Sequence, residues 1–230
     1  MRMSATTSRV RTKYLAFGVI GLMLLYVLVH NERFLIDPNQ PVWEHYQTFK
    51  WWLLPHGLLG ACALLLAPMQ FSDRLRARFA KVHRIVGRVY VAGALGLAPL
   101  GAYISYIEEG IGQPRSFTIG NSVDAALLMI TTGIGFFFAL KRMIPQHRQW
   151  MTRSYACALI FFEARLILGV TGWDQPPNFA TTETVVWVCV AFAVLIGDIA
   201  NQVYELEGRA RSSRAQSSQA IAATAGVHNL

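Results

Sequence analysis

Apolar residues along this chain come in long unbroken runs, with neither strand-like alternation nor a narrow helical stripe. Six runs can be drawn, at roughly 14–30, 51–70, 84–107, 121–140, 150–171 and 184–204. Each is close to the twenty or so residues with which an α-helix crosses a bilayer. Alternating ten-residue segments are absent, which excludes a membrane barrel. In hydrocarbon the backbone must satisfy its own polar groups, so the runs predict an all-α membrane protein, a bundle of six transmembrane helices. Composition agrees. Of the 230 residues 53% are hydrophobic and 15% charged, against about 25% charged in soluble domains, and mean hydropathy is +0.35.

Polar punctuation sets the loops and the orientation. Asp37-Pro38-Asn39-Gln40-Pro41, Gly110-Ile111-Gly112-Gln113-Pro114 and Asp174-Gln175-Pro176-Pro177-Asn178 mark three turns. Basic residues alternate with them. Arg2, Arg9, Arg11 and Lys13 precede the first run; Arg74, Arg76, Arg78 and Lys81 precede the third; Lys141, Arg142, Arg148 and Arg153 surround the start of the fifth; Arg209, Arg211 and Arg214 follow the sixth. The other loops hold few basic residues and carry Glu32, Asp37, Glu44, Glu108, Glu109, Asp174 and Glu183. Both termini are therefore expected in the cytoplasm, in a bacterial inner membrane. The basic start resembles a secretory signal, but His30-Asn31-Glu32-Arg33-Phe34 offers no small-residue cleavage site, so the first run reads as an uncleaved helix. The expected organisation is a basic N-terminus at 1–13, a six-helix domain at 14–205 and a disordered cytoplasmic tail at 206–230, rich in Ser, Ala and Gln. The net charge of +8 does not imply nucleic acid, because the cations sit in the short segments between apolar runs.

Two stretches share one grammar: His83-Arg84-Ile85-Val86-Gly87-Arg88-Val89-Tyr90, and His147-Arg148-Gln149-Trp150-Met151-Thr152-Arg153-Ser154-Tyr155. Each starts a return helix on the basic side, which suggests that runs 2–3 and 4–5 form a parallel repeat. Ionisable side chains at membrane depth face the bundle interior or water. An inner layer is expected from His83, Arg84, Arg88, Tyr90, His147, Arg148, Arg153, Tyr155, Asp198 and Asn201. An outer layer is expected from His56, Asp124, Glu163 and Arg165, with Arg165–Asp124 and Glu163–His56 as the natural pairs. His56 precedes Gln70 by fourteen residues, which is about 20 Å of helix, so His56, His83 and His147 do not share one metal ion. Cys62, Cys157 and Cys189 fall in separate runs and lack metal-ligand spacing. His30, His45 and His228 read as interface, loop and tail residues. Small residues (Gly57, Gly60 and Ala61; Gly93, Gly96 and Gly101; Gly133 and Gly135) point to close helix packing.

The inner layer admits several readings. Arg, Tyr and Trp anchor helices at a membrane boundary without further function. Two histidines facing each other also make axial ligands for a b-type haem, with Arg84, Arg88, Arg148 and Arg153 neutralising its propionates and a quinone or redox protein as partner. A transporter or binding and assembly protein with structural polar layers is the alternative. A third reading takes the inner arginines as a site for anionic lipid or another phosphate-bearing ligand. No phosphate loop, dinucleotide fingerprint, HExxH or GxSxG is present, so no catalytic residues can be named and the chain is not assigned as an enzyme.

His56-Gly57, Ala67-Pro68-Met69-Gln70-Phe71, His83-Arg84-x-x-Gly87-Arg88-x-Tyr90, His147-Arg148-x-Trp150-Met151-x-Arg153-Ser154-Tyr155-Ala156 and Arg165 together resemble the bacterial multi-pass membrane family called domain of unknown function 2306, over about residues 50–170. That resemblance implies architecture and candidate positions, and no reaction. The layout is also similar to six-helix di-haem cytochromes b, where helices 3 and 5 hold the cytoplasmic haem. His83 and His147 fall on those helices, whereas helix 4 has no histidine to partner His56. Cytoplasm-dependent fluorescent fusions placed after residues 13, 145 and 214 should be bright, and fusions at 112 and 175 dark. The reverse pattern would invert the topology.

Overall fold

The computed structural model describes residues 5–30, 37, 39–40, 42–173 and 179–227. The expected turn at 174–178, most of the segment 31–41 and both chain ends lie outside them. The described residues form eight helices and no strand: α1 Ala5–His30, α2 Val42–Tyr46, α3 Lys50–Gln70, α4 Asp73–Arg78, α5 Ala80–Gly110, α6 Arg115–Leu140, α7 Ile144–Thr171 and α8 Phe179–Val227. Five of them, α3 and α5–α8, are long and apolar enough to cross a membrane, and Leu15–His30 of α1 is a shorter apolar segment. The all-α membrane architecture expected from the apolar runs is what the chain adopts.

Helices outrun the hydropathic runs that announced them. α5 has 31 residues and α7 has 28, about 46 and 42 Å, each exceeding a hydrocarbon core of about 30 Å. Their additional turns lie in the polar boundary, where a helix still saves backbone hydrogen bonds but hydropathy gives no signal. α8 runs for 49 residues. Its helix continues past 206, where composition suggested a disordered tail. Glu205 to Ala210 and the Ala- and Gln-rich stretch beyond it are mostly good helix formers without proline. A short helix, α4, fills the loop between α3 and α5. Ser72 caps it by accepting a bond from the Leu75 N–H at 3.2 Å.

α7 is the hub. It packs against α6 and α8 on either side and also meets α1 and α3. Eight of its side chains are buried, from Ser154 to Leu168. The pair α3–α5 forms the other close seam. The outside is the more conspicuously apolar surface: Leu58 and Val170 are each 69% exposed, with Leu65, Phe137, Phe192 and Ile199 exposed beside them. A soluble protein does not tolerate such a girdle, whereas lipid tails solvate it.

Two sharp turns show how the chain reverses at each end. After α6, Arg142 takes a left-handed φ of 58°. The Met143 N–H then reaches back to the Phe138 carbonyl at 2.9 Å, and that of Arg142 to the Ala139 carbonyl at 3.1 Å, the Schellman closure of a helix. Between α5 and α6, Gly112 at φ 111° provides the turn expected from the Gly-Ile-Gly-Gln-Pro sequence.

Of the small residues, one set packs as expected and the other does not. A Cβ on Gly93 would lie 2.9 Å from the Leu59 carbonyl oxygen, and one on Gly96 2.9 Å from a Leu59 methyl, so α3 and α5 come into direct contact there. Gly135 stands closer still to α7, a Cβ there lying 2.6 Å from the Met151 thioether sulfur. Gly57, Gly60 and Gly133 have nothing within 4 Å of such an atom, and Ala61 is exposed. These four face away from the helix seams. Gly93→Ala should therefore lower the thermal unfolding midpoint measured in detergent. Gly60→Ala should leave it unchanged or raise it, by up to about 1 kcal/mol in stability. Equal behaviour of the two variants would contradict the seam.

Candidate functional site

The two His-Arg stretches occupy equivalent places. His83 is the fourth residue of α5 and His147 the fourth of α7. The backbone N–H of each bonds to the residue just before its helix, His83 to the Phe79 carbonyl at 3.0 Å and His147 to the Met143 carbonyl at 2.9 Å. The short repeat in the sequence is thus a repeat of helix starts. The side chains differ. The His147 Nδ1–H donates to the Gly135 carbonyl of α6 at 2.8 Å. A carbonyl can only accept, so Nδ1 carries the proton and Nε2 keeps its lone pair. His83 is half-buried, its Nδ1 is buried without a hydrogen-bond partner, and it lies within electrostatic range of Arg76 and His147.

Below these rings a chain of hydroxyls joins three helices. The Tyr90 hydroxyl of α5 lies 2.7 Å from Ser154 Oγ of α7, which lies 2.7 Å from Thr132 Oγ1 of α6. All three residues are buried, Thr132 and Ser154 completely. One hydroxyl has one proton and two lone pairs, so Ser154 can donate to one neighbour while accepting from the other. Tyr155, the next residue, packs on Phe71 with ring centroids 5.7 Å apart, and its hydroxyl has no partner. Gln70 presses its side-chain oxygen towards Gly87, while its amide nitrogen is also unpartnered. Three buried polar atoms without partners (Gln70 Nε2, His83 Nδ1 and Tyr155 Oη) therefore come from α3, α5 and α7 at the basic end. Sequence reasoning missed Thr132 and the bridging role of Ser154; the hint available was a Thr131-Thr132 pair inside an apolar helix.

The arginines do not gather around the histidines. Arg153 donates from Nε to Asp198 Oδ1 on α8 at 2.5 Å and lies over the Trp150 ring at 4.7 Å. Arg148 lies over Tyr204 at 4.0 Å. Gln149 donates to Glu205 at 2.7 Å, and Asn201 to the Gln149 carbonyl at 3.1 Å. Together they staple α7 to α8 around a cleft of about 220 Å³. Arg84 and Arg88 are exposed, one helical turn apart on α5.

At the acidic end the four expected residues do not form the expected pairs. His56 bonds through Nδ1 to the Leu97 carbonyl at 3.0 Å, and its ring fills the space beside Gly101, tying α3 to α5. Arg165 lies over Phe161 at 4.9 Å. Asp124 has a buried, unpartnered Oδ1 and stands within electrostatic range of Glu163. So Arg165–Asp124 and Glu163–His56 are not contacts: helix rotation puts Asp124 near a carboxylate and His56 near a carbonyl. Among the described residues no three His, Cys, Asp or Glu side chains gather closely enough to hold a metal ion. All three cysteines are free.

Helical architecture, lipid-facing girdle and polar layers define a multi-pass all-α membrane protein. The family described as Predicted membrane protein (DUF2306) matches residues 53–200, most of the chain, and the protein belongs to that family. No curated protein and no solved structure matches it. Ser154→Ala should lower stability by about 1–3 kcal/mol, because it strands the buried Tyr90 hydroxyl without its partner. In reversible denaturation from micelles, the Tyr90→Phe/Ser154→Ala pair should cost less than the sum of the single changes. Strict additivity would mean that the two hydroxyls do not interact.

Proposed function

We propose that this membrane protein binds one b-type haem at its basic end, near the cytoplasmic face of a bacterial inner membrane, and transfers electrons with a quinone or a redox protein. His83 and His147 would hold its iron in this reading. The carrying observation is the state of His147: its Nδ1–H is spent on the Gly135 carbonyl, so the ring is oriented and Nε2 is free. Metal-bound histidines are characteristically held this way, by a carbonyl on the far nitrogen. His83 completes the pair, on the neighbouring return helix and within electrostatic range. Bound there, haem supplies one-electron chemistry. Arg84 and Arg88, exposed on α5, are the cations left for its propionates, since Arg148 and Arg153 are engaged with Tyr204 and Asp198.

A second reading has its own support. The Tyr90, Ser154 and Thr132 hydroxyls bond to one another, and Arg153 pairs with Asp198. Polar layers closed in this way suit a non-enzymatic transporter or a binding and assembly protein in which they hold the helices together. A spectrum separates the two. Protein purified from haem-supplied cells should show a Soret band that disappears in His147→Ala and in His83→Ala and survives in His56→Ala. Pure, folded wild-type protein without visible absorbance would end the haem reading and leave the second.

A further inference from the structure

At the acidic end, a groove of about 400 Å³ runs along α5 and α6. Its rim carries Glu109 near the end of α5 and Arg115 at the start of α6; its floor is Ile119, Val123 and Ala126, with Tyr106 at the edge. We propose that this groove holds one phosphatidylethanolamine molecule.

Charge argues first. Glu109 and Arg115 form no ion pair with each other or with another described residue, although both line the same rim. The neighbouring acid, Glu108, is already engaged by His45 at 3.4 Å. Opposite charges held apart at headgroup level match a headgroup that is itself split into phosphate and ammonium. The guanidinium takes the phosphate in a fork of N–H donors, and the Glu109 carboxylate accepts from the primary ammonium. A lipid whose headgroup carries only negative charge would gain the first contact and be repelled at the second.

The length of the groove agrees. From Arg115 to Ala126 is eleven residues of one helix, about 16 Å, close to half of a hydrocarbon core of about 30 Å. One acyl chain of one leaflet fits that run. The hydroxyls along the floor do not compete for the headgroup: Thr118 donates to the Ser105 carbonyl at 3.2 Å and Ser122 to the Thr118 carbonyl at 2.7 Å. The exposed Tyr106 ring stands at the depth where aromatic residues settle among headgroups. None of this depends on what occupies the basic end.

The test is native mass spectrometry of delipidated full-length protein given equal amounts of phosphatidylethanolamine and phosphatidylglycerol with identical acyl chains. Wild-type protein should retain the first over the second by about fivefold, the order of one exposed hydrogen-bonded ion pair. Arg115→Gln should weaken retention of both lipids. Glu109→Gln should bring the ratio close to one, and Lys141→Gln at the opposite end should leave it unchanged. Equal retention by the wild type overturns the proposal without recourse to any variant, and so does an unaltered ratio in folded Glu109→Gln.

Discussion

The Ser154 hydroxyl is the point on which the bundle turns. Apolar helices gain nothing from burying against each other in lipid, because the tails outside are as apolar as the seam. Contacts that are absent in lipid have to select the arrangement. Ser154 provides two of them at once, to Tyr90 and to Thr132, both at 2.7 Å. Geometry therefore fixes the rotation of α5, α6 and α7 about their own axes. Rotating any one helix by a single residue, about 100°, breaks a bond between buried groups. The return helices and their histidines are positioned from this knot outward: Tyr90 lies two turns beyond His83, and Ser154 two turns beyond His147.

Two further kinds of contact act in the same direction. Where glycines face a neighbour, the helices approach until no room is left for a Cβ, as at Gly93 against Leu59 and Gly135 against Met151. At the boundary, where water is available, charge takes over. Arg153–Asp198, Gln149–Glu205 and Arg148–Tyr204 run along the α7–α8 seam only at its basic end. The bundle is thus closed by hydroxyls and close packing in its interior, and the α7–α8 seam by ions at its basic rim. Arg153 contributes alignment of α8 more than raw stability, since a partly exposed pair of this kind is worth about 1 kcal/mol or less.

Much of the fold was legible because lipid imposes a simple rule on sequence. A run of twenty apolar residues has one structural solution, so the positions of α3 and α5–α8 could be read directly. Their ends could not, because the extra turns of α5 and α7 lie where water and lipid both tolerate helix. The equivalence of His83 and His147 was also legible, as a repeated His-Arg at two helix starts. Side-chain partnerships were not. Asp124, Glu163, Arg165 and His56 stand out in the sequence as polar residues inside apolar runs, yet which faces which depends on helix rotation, and rotation is set by the Ser154 knot and the glycine contacts. Gly57, Gly60 and Gly133 show the same limit: spacing alone does not tell a glycine that faces a helix from one that faces lipid.

The two histidines show how a sequence repeat becomes a structural asymmetry. Identical helix starts give His83 and His147 the same backbone bond, but the helices opposite them are unlike. Gly135 lacks a Cβ, which lets α7 come close enough to α6 for His147 to reach the Gly135 carbonyl at 2.8 Å. Opposite His83, α3 presents Gln70, whose amide nitrogen is itself unpartnered. One ring is therefore fixed by the fold and the other is left with an unspent nitrogen in a buried, polar corner. An oriented ring and one with an unpartnered nitrogen thus stand at the starts of two return helices of one bundle. The Tyr90, Ser154 and Thr132 hydroxyls are paired among themselves, whereas the Tyr155 hydroxyl at the same end is buried without a partner.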